Sequence, residues 1–214
     1  MRVIDLTHAV REGMPVYPGT ESPSFTTVGG YDTVGYRETL MHMFSHVGTH
    51  IDAPAHIVDG LMTLDEFPID RLVGPALIID CRDIPEGGLI DMERLLAYGD
   101  DLYSARFLIF MTGWDKRWAT DEYYKGFPVV DDEVLSFIIG GDYYGIGFDT
   151  ISLDPVEDVN LTRHNRLFSS KNIINIENLM NLDCVPSGIF TLACLPLKLA
   201  NADGAPTRAV AIVE

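Results

Sequence analysis

The sequence predicts a single α/β domain organised around a mixed β-sheet. Short apolar runs alternate with stretches of helical periodicity. The chain has 214 residues, a size that one hydrophobic core serves. No internal repeat, low-complexity tract or Gly/Ser-rich linker divides it. One domain over residues 1–214 follows.

Val3–Leu6 reads as the first strand. Gly13-Met14-Pro15-Val16-Tyr17-Pro18-Gly19 then forms an irregular loop, because two prolines and two glycines in seven residues sustain neither helix nor central strand. Ser24–Val28 and Tyr36–Phe44 are rich in Thr, Tyr, Phe and Val and suit a hairpin around Gly29-Gly30. Thr63 and Glu66 have capping-box spacing, and Pro68 limits that helix to a short turn. Pro75–Asp80 is a buried strand, Asp91 caps a helix through Met92, Leu95 and Leu96 that stops at Gly99, and Arg106–Met111 is another strand. Asp131 or Asp132 caps a helix through Val134, Leu135 and Ile138, closed by Gly140-Gly141, before a strand at Tyr144–Phe148. Ile173–Ile176, Gly188–Leu195 and Arg208–Val213 complete the strands.

A hydrophobic share of 47% against 22% charged residues excludes disorder as the main state. Fifteen basic and 32 acidic side chains give a net charge of −17, a field that repels phosphate backbones and anionic membrane surfaces. The expected partner is a small-molecule substrate, with neither nucleic acid nor membrane. No apolar run approaches the roughly 18 residues of a membrane span, and Met1–His8 lacks the pattern of a secretion signal. Cys81, Cys184 and Cys194 fit no CxxC pattern and are expected as buried, reduced thiols, which with the missing signal points to the cytoplasm.

Chemistry concentrates between His42 and His56, which contain four of the six histidines. His42 alternates with Met41 and Met43 and reads as an ordinary strand residue. His46, His50, Asp52 and His56 are different, because imidazole and carboxylate together form the usual shell of borderline divalent cations. On a straight strand His46 and His50 would stand about 13 Å apart, too far to share an ion. Gly48 between them permits a kink that folds His46 back beside His50 and Asp52. Pro54 then directs His56 separately.

The stretch His46-x-Gly48-Thr49-His50-x-Asp52-Ala53-Pro54-x-His56 fills every fixed position of HxGTHxDxPxH. It resembles that motif in the cyclase family of metal-dependent hydrolases, which includes bacterial kynurenine formamidases and isatin hydrolases. Asp5-Leu6-Thr7-His8, the Gly13–Gly19 loop, Thr112-Gly113-Trp114, His164-x-x-Leu167 and Glu177-Asn178-Leu179 are similar to further family segments, so the likeness spans most of the chain. It implies a swivelling β/β/α architecture and hydrolysis of a C–N bond in a small aromatic amide, foremost an N-formyl aryl amine, or else a cyclic amide such as isatin. It further implies that His46, His50 and Asp52 hold one divalent ion, zinc or manganese, and that Asp52 bridges to a second held by His164 and Glu177. His56 matches the catalytic histidine, with Glu177 beside it at the reacting centre, and the family's habit implies a homodimer or homotetramer. Taken without the motif, His164 is a loop histidine and Glu177 a strand-end glutamate, and Asn178 reads as turn chemistry.

The residues suit the chemistry on their own terms. Metal ions make water acidic near neutral pH and polarise a carbonyl, and an imidazole outside the ligand set can carry the proton. No Gly-x-Ser-x-Gly elbow supports a covalent hydrolase, and Gly140-Gly141 and Gly145-x-Gly147 lack the spacing of a phosphate cradle. Tyr17, Trp114 and Trp118 are candidates for an apolar pocket wall. Two rivals remain: a non-haem iron oxygenase built on His50, Asp52 and His164, and a non-catalytic metal-binding protein. A structural ion has no use for an extra imidazole such as His56, which separates the second rival from a hydrolase.

Overall fold

The computed structural model describes residues 1–213. Its strands are β1 (Arg2–Asp5), β2 (Ser24–Gly29), β3 (Glu38–His42), β4 (His50–Asp52), β5 (Val73–Asp80), β6 (Leu89–Ile90), β7 (Phe107–Met111), β8 (Val129–Val130), β9 (Gly145–Phe148), β10 (Ile174–Glu177), β11 (Phe190–Pro196) and β12 (Gly204–Val213). The main sheet runs β1-β12-β11-β5-β7-β9-β10-β4, and β4 also pairs with β12. Seven strands therefore close into a barrel-like ring, with β1 attached outside. Pairings β5–β7, β7–β9 and β9–β10 are parallel, and those involving β4, β11 or β12 are antiparallel. The expected mixed sheet is present; its closure depends on β4, three residues long, finding partners on both sides.

Alternation along the strands divides the apolar residues into two layers. Phe107, Ile109 and Met111 of β7 join Ile51, Ile176, Leu192 and Ala209 in the core within the ring. Leu108 and Phe110 face the other way and meet helical residues Leu95, Leu102, Leu135, Ile138 and Phe168. Both faces of β7 are thus buried, which is why it reads as an unbroken apolar run. Where β7 and β9 end, Asp149 accepts hydrogen bonds from the amide nitrogens of Thr112 and Gly113. Burial pushes the Asp149 carboxyl up to about 7 against those bonds.

The anticipated helices and caps form. Asp91 accepts from the Arg94 amide at 3.1 Å, Asp131 from the Val134 amide at 2.8 Å, and Glu66 from the Thr63 amide at 2.9 Å. β2 and β3 make the hairpin, with a short helix at Tyr31–Val34 in its turn. Two expectations need correction. His164 lies on a helix, Thr162–Ser170, rather than in a loop. Cys184 is exposed, while Cys81 and Cys194 are buried, because Cys184 ends a surface turn instead of occupying a strand. Among the described residues no helix is long and apolar enough to cross a membrane.

Candidate active site

Strand register assembles the first four polar side chains. On β4, Ile51 faces the core, so His50 and Asp52 face outward. Glu177 pairs with His50, and Asn175 with Asp52, which places the β10 side chains on the same face. Asn175 Nδ2 donates to Asp52 Oδ2 at 3.0 Å and to Glu177 Oε1 at 2.9 Å. The Leu153 amide adds a bond to Glu177 Oε1 at 2.9 Å.

His46 joins them through two glycines. Gly48 adopts φ +62°, a left-handed conformation that turns the chain back. His46 Nδ1 comes within 2.7 Å of Asp52 Oδ1, and its ring centroid lies 5.1 Å from that of His50. On the opposite side of Asp52, the β12 partner is Gly204. A Cβ on Gly204 would collide with Cε1 of His46, so the missing side chain makes the space that the imidazole fills.

His164 arrives from the helix. That helix carries no capping side chain of its own, since Leu161 precedes it at φ +48°. Asp154 replaces the cap: Oδ1 accepts from the Arg163 amide at 2.8 Å, and Oδ2 from the His164 amide at 3.0 Å. The same Oδ2 lies 2.8 Å from His164 Nδ1 and fixes the ring, so that Nε2 faces Glu177 Oε1 at 3.2 Å and Asp52 Oδ2 at 3.6 Å. His50 is aimed likewise: Nδ1 donates to the Gly48 carbonyl at 2.8 Å, and Nε2 is 3.1 Å from Asp52 Oδ1.

Three groups of donors result, His46/His50/Asp52, Asp52/His164/Glu177 and the more exposed His46/His56/Asp203, with ligand atoms within 4.8 Å of one another in each. The first two share Asp52. Buried carboxylates at 1% and 5% exposure require positive charge close by. Burial alone would raise the Asp52 pKa, but the charge of His50 and the bonds to His164 and His46 hold it well below the usual range. Burial opposes charge on His164 as well, yet Asp154, Asp52 and Glu177 draw a proton onto it and raise it well above an ordinary imidazole. For His46, burial is outweighed by Asp203 and Asp52, which push it up to about 10. A cluster that draws protons so strongly, with each inward nitrogen aimed by an outer hydrogen bond, fits a divalent cation.

His56 stands outside the two groups that share Asp52, in the one-turn 3₁₀ segment Pro54–His56. Its ring lies against that of His46, tilted by 34° with centroids 3.9 Å apart, and 6.2 Å from that of His164. Burial depresses its pKa, with His46 and His164 adding to that against the pull of Asp52 and Glu177. His46, His50, His56, His164 and Glu177 all line a cavity of about 510 Å³ whose apolar wall includes Tyr17, Phe44, Ile151, Val156 and Leu161.

Of the three aromatic residues expected in that wall, only Tyr17 lines it. Trp114 and Trp118 pack behind it with Tyr123 and Phe127, and Trp118 stacks on His8 at 3.8 Å. His42 is exposed on the hairpin, away from the cluster. Asn178 takes φ +57°, a turn conformation, and also donates from Nδ2 to the Gly48 carbonyl while accepting from Tyr123. Sequence reasoning missed Asn175, Asp154 and Asp203. For Asn175, the two-residue spacing to Glu177 on a strand was a usable signal.

Comparison with known proteins agrees with this geometry. The Cyclase family model matches residues 4–155. A kynurenine formamidase from Bacillus cereus is 32% identical over 209 residues, covering 97% of this chain and 95% of the relative. Isatin hydrolase A from Labrenzia aggregata superposes with a TM-score of 0.87 at 25% identity, covering 99% of this chain and 93% of that one. A protein from Bacillus stearothermophilus, described as a predicted metal-dependent hydrolase, superposes at 0.79 with 30% identity, covering 98% and 97%. On motif, fold and extent of match together, the chain belongs to the Cyclase family.

Proposed function

We propose that this protein is a divalent-metal hydrolase that cleaves the C–N bond of small aromatic amides, with N-formyl aryl amines the preferred class. The observation that carries the reading is the pair of donor groups sharing Asp52, with the free imidazole of His56 facing the same cavity. His46, His50 and Asp52 would hold one ion, and Asp52, His164 and Glu177 a second, zinc or manganese. Ions in such a shell supply Lewis acidity, polarising a carbonyl and making water acidic enough to attack near neutral pH.

The chain's own residues do the rest. Asn175 and the Leu153 amide keep the carboxylates of Asp52 and Glu177 turned inward. His56, whose pKa burial lowers, accepts a proton from the attacking water and returns it to the departing nitrogen. Tyr17, Ile151, Val156 and Leu161 flank an aromatic ring and exclude water from it. Among the described residues, no lysine or arginine lines the cavity, which favours substrates without a large negative charge.

A cyclic amide such as isatin is the second reading, supported by the structural likeness to isatin hydrolase A. We also read the protein as a homodimer or homotetramer, because the β2–β3 hairpin exposes Tyr31, Leu40 and Met41, and as cytoplasmic, because its three cysteines are free thiols. The test of function is a panel of N-formyl aniline, formylkynurenine, isatin and aliphatic cyclic amides assayed with defined metal. Aryl formamides should lead in kcat/KM. A tenfold advantage for aliphatic cyclic amides overturns the formamide assignment, and metal binding without hydrolysis of any member makes the protein a non-catalytic metal binder.

A further inference from the structure

Asp203 belongs to neither of the buried groups that share Asp52, but closes a half-buried third group with a proposed ligand, His46, and the proposed proton carrier, His56. It immediately precedes β12, and its side chain is 47% exposed. Its backbone is anchored, since its carbonyl accepts from the Ala53 amide at 2.9 Å where β4 ends. Oδ2 lies 2.9 Å from His46 Nε2 and 3.7 Å from His56 Nδ1, and Ser45 donates to the same oxygen at 3.4 Å.

Each imidazole has two nitrogens and needs both committed if it is to hold one orientation. His46 spends Nδ1 toward Asp52, so Nε2–H needs an acceptor. For His50 and His164 a backbone carbonyl and the Asp154 carboxylate play that part. For His46 the acceptor is Asp203. Gly204 then leaves room for the ring, so two consecutive residues at the start of β12 seat this imidazole, one by its charge and the other by its lack of a side chain. The His56 ring lies against that of His46, tilted by 34°, with Nδ1 turned toward the same carboxylate oxygen at ion-pair distance and Nε2 on the other side of the ring.

We propose that Asp203 is a positioning residue shared by the metal centre and the proton carrier: through Oδ2 it fixes the ring of His46 as a ligand and orients His56 for proton transfer. The proposal rests on the ligand and proton-carrier roles given to those histidines above. An exposed aspartate with no such role would attract the same positive charge and matter little to either process.

The experiment compares the zinc-loaded parent with Asp203→Asn, Asp203→Ala, Asp203→Glu and, as a control, Asp142→Asn, an aspartate on the far loop paired with Arg106. Two quantities are read: the rate at which bound zinc passes to excess chelator, and kcat and KM for an aryl formamide at saturating zinc. Loss of an outer hydrogen-bond partner to a metal ligand typically costs about 10–100-fold in affinity or activity. Asp203→Asn and Asp203→Ala should therefore release zinc about 10–100-fold faster. Their kcat should fall by a similar factor with KM within twofold. Asp203→Glu should recover part of kcat, and Asp142→Asn should match the parent.

Release and kcat both within twofold of the parent in Asp203→Asn overturn the proposal. Faster release with parental kcat at saturating zinc overturns the shared role, leaving Asp203 as a support of His46 alone. Thermal unfolding of the metal-free variants checks that they fold, and if Asp203→Ala does not, the isosteric Asp203→Asn carries the comparison. Should the parent hydrolyse no amide, the functional reading fails, while the zinc-release rates still test the His46 contact.

Discussion

Glu177 is the cross-strand partner of His50, and this single register pairing brings β10 to the proposed metal centre. A slip of one residue would turn Ile176 outward and bury Glu177 in the core. Asp52, the next β4 residue on the same face, belongs to two donor groups, whereas Glu177 and His164 belong to one.

Metal content should follow that asymmetry. Asp52→Ala is expected to lose essentially all bound metal, and Glu177→Ala or His164→Ala to retain part of it. Elemental analysis of the purified variants checks the order; Asp52→Ala with parental metal content would sink the two-ion arrangement.

His56→Ala should keep the fold and most of the metal while turnover drops roughly 10²–10⁴-fold, the range for a positioned acid–base group. Steady-state kinetics beside metal analysis separates the two effects. Parental turnover would make His56 a structural histidine.

Gly204→Ala is a test of space. The added methyl collides with the His46 ring, and overpacking of this kind costs about 1–3 kcal/mol. Bound zinc should fall, and the unfolding midpoint of the metal-free protein should drop. An unchanged midpoint and unchanged zinc affinity would show that the His46 ring has somewhere else to go.

His8 gives a pH signature separate from the metal cluster. Burial against Trp118 lowers its pKa to about 4, with Asp115 partly opposing and Arg11 assisting. The unfolded chain binds a proton at this histidine near pH 6.5 and the folded chain does not. Its neutral state therefore favours the fold fully above about pH 6.5, and that contribution disappears as pH falls from 6.5 to about 4. In metal-free protein, His8→Gln should flatten the loss of stability across that window relative to the parent. Chemical denaturation at pH 7 and pH 4.5 measures the difference, and parallel curves would contradict it.

Much of the site is legible along the chain because its donors are chemically unusual and clustered. His46, His50, Asp52 and His56 fall within eleven residues, and Gly48 marks the bend that lets His46 return. Asn175, Asp154 and Asp203 escape notice for the opposite reason: they are ordinary residue types, brought in by sheet register or by a distant loop. The helix at Thr162–Ser170 hides for a related cause. Its capping carboxylate, Asp154, sits eight residues before its first residue, and the position where a cap belongs holds Leu161 in a left-handed conformation. Ring closure is equally invisible, since nothing in His50-Ile51-Asp52 announces two strand partners instead of one.

The three-residue strand that carries His50 and Asp52 is also the last stave of the barrel, joined to β10 on one side and β12 on the other. So few backbone bonds make it the natural place for the wall to part, and the ions held there would act as a rivet across the joint. Catalytic readiness and mechanical integrity are then lodged in the same three residues. Amide hydrogens of Ile51 and Ala205 should exchange with solvent well before those of Ile109 when metal is withdrawn, and should slow when it is restored. For this chain, loss of the metal would loosen the vessel as well as silence its chemistry.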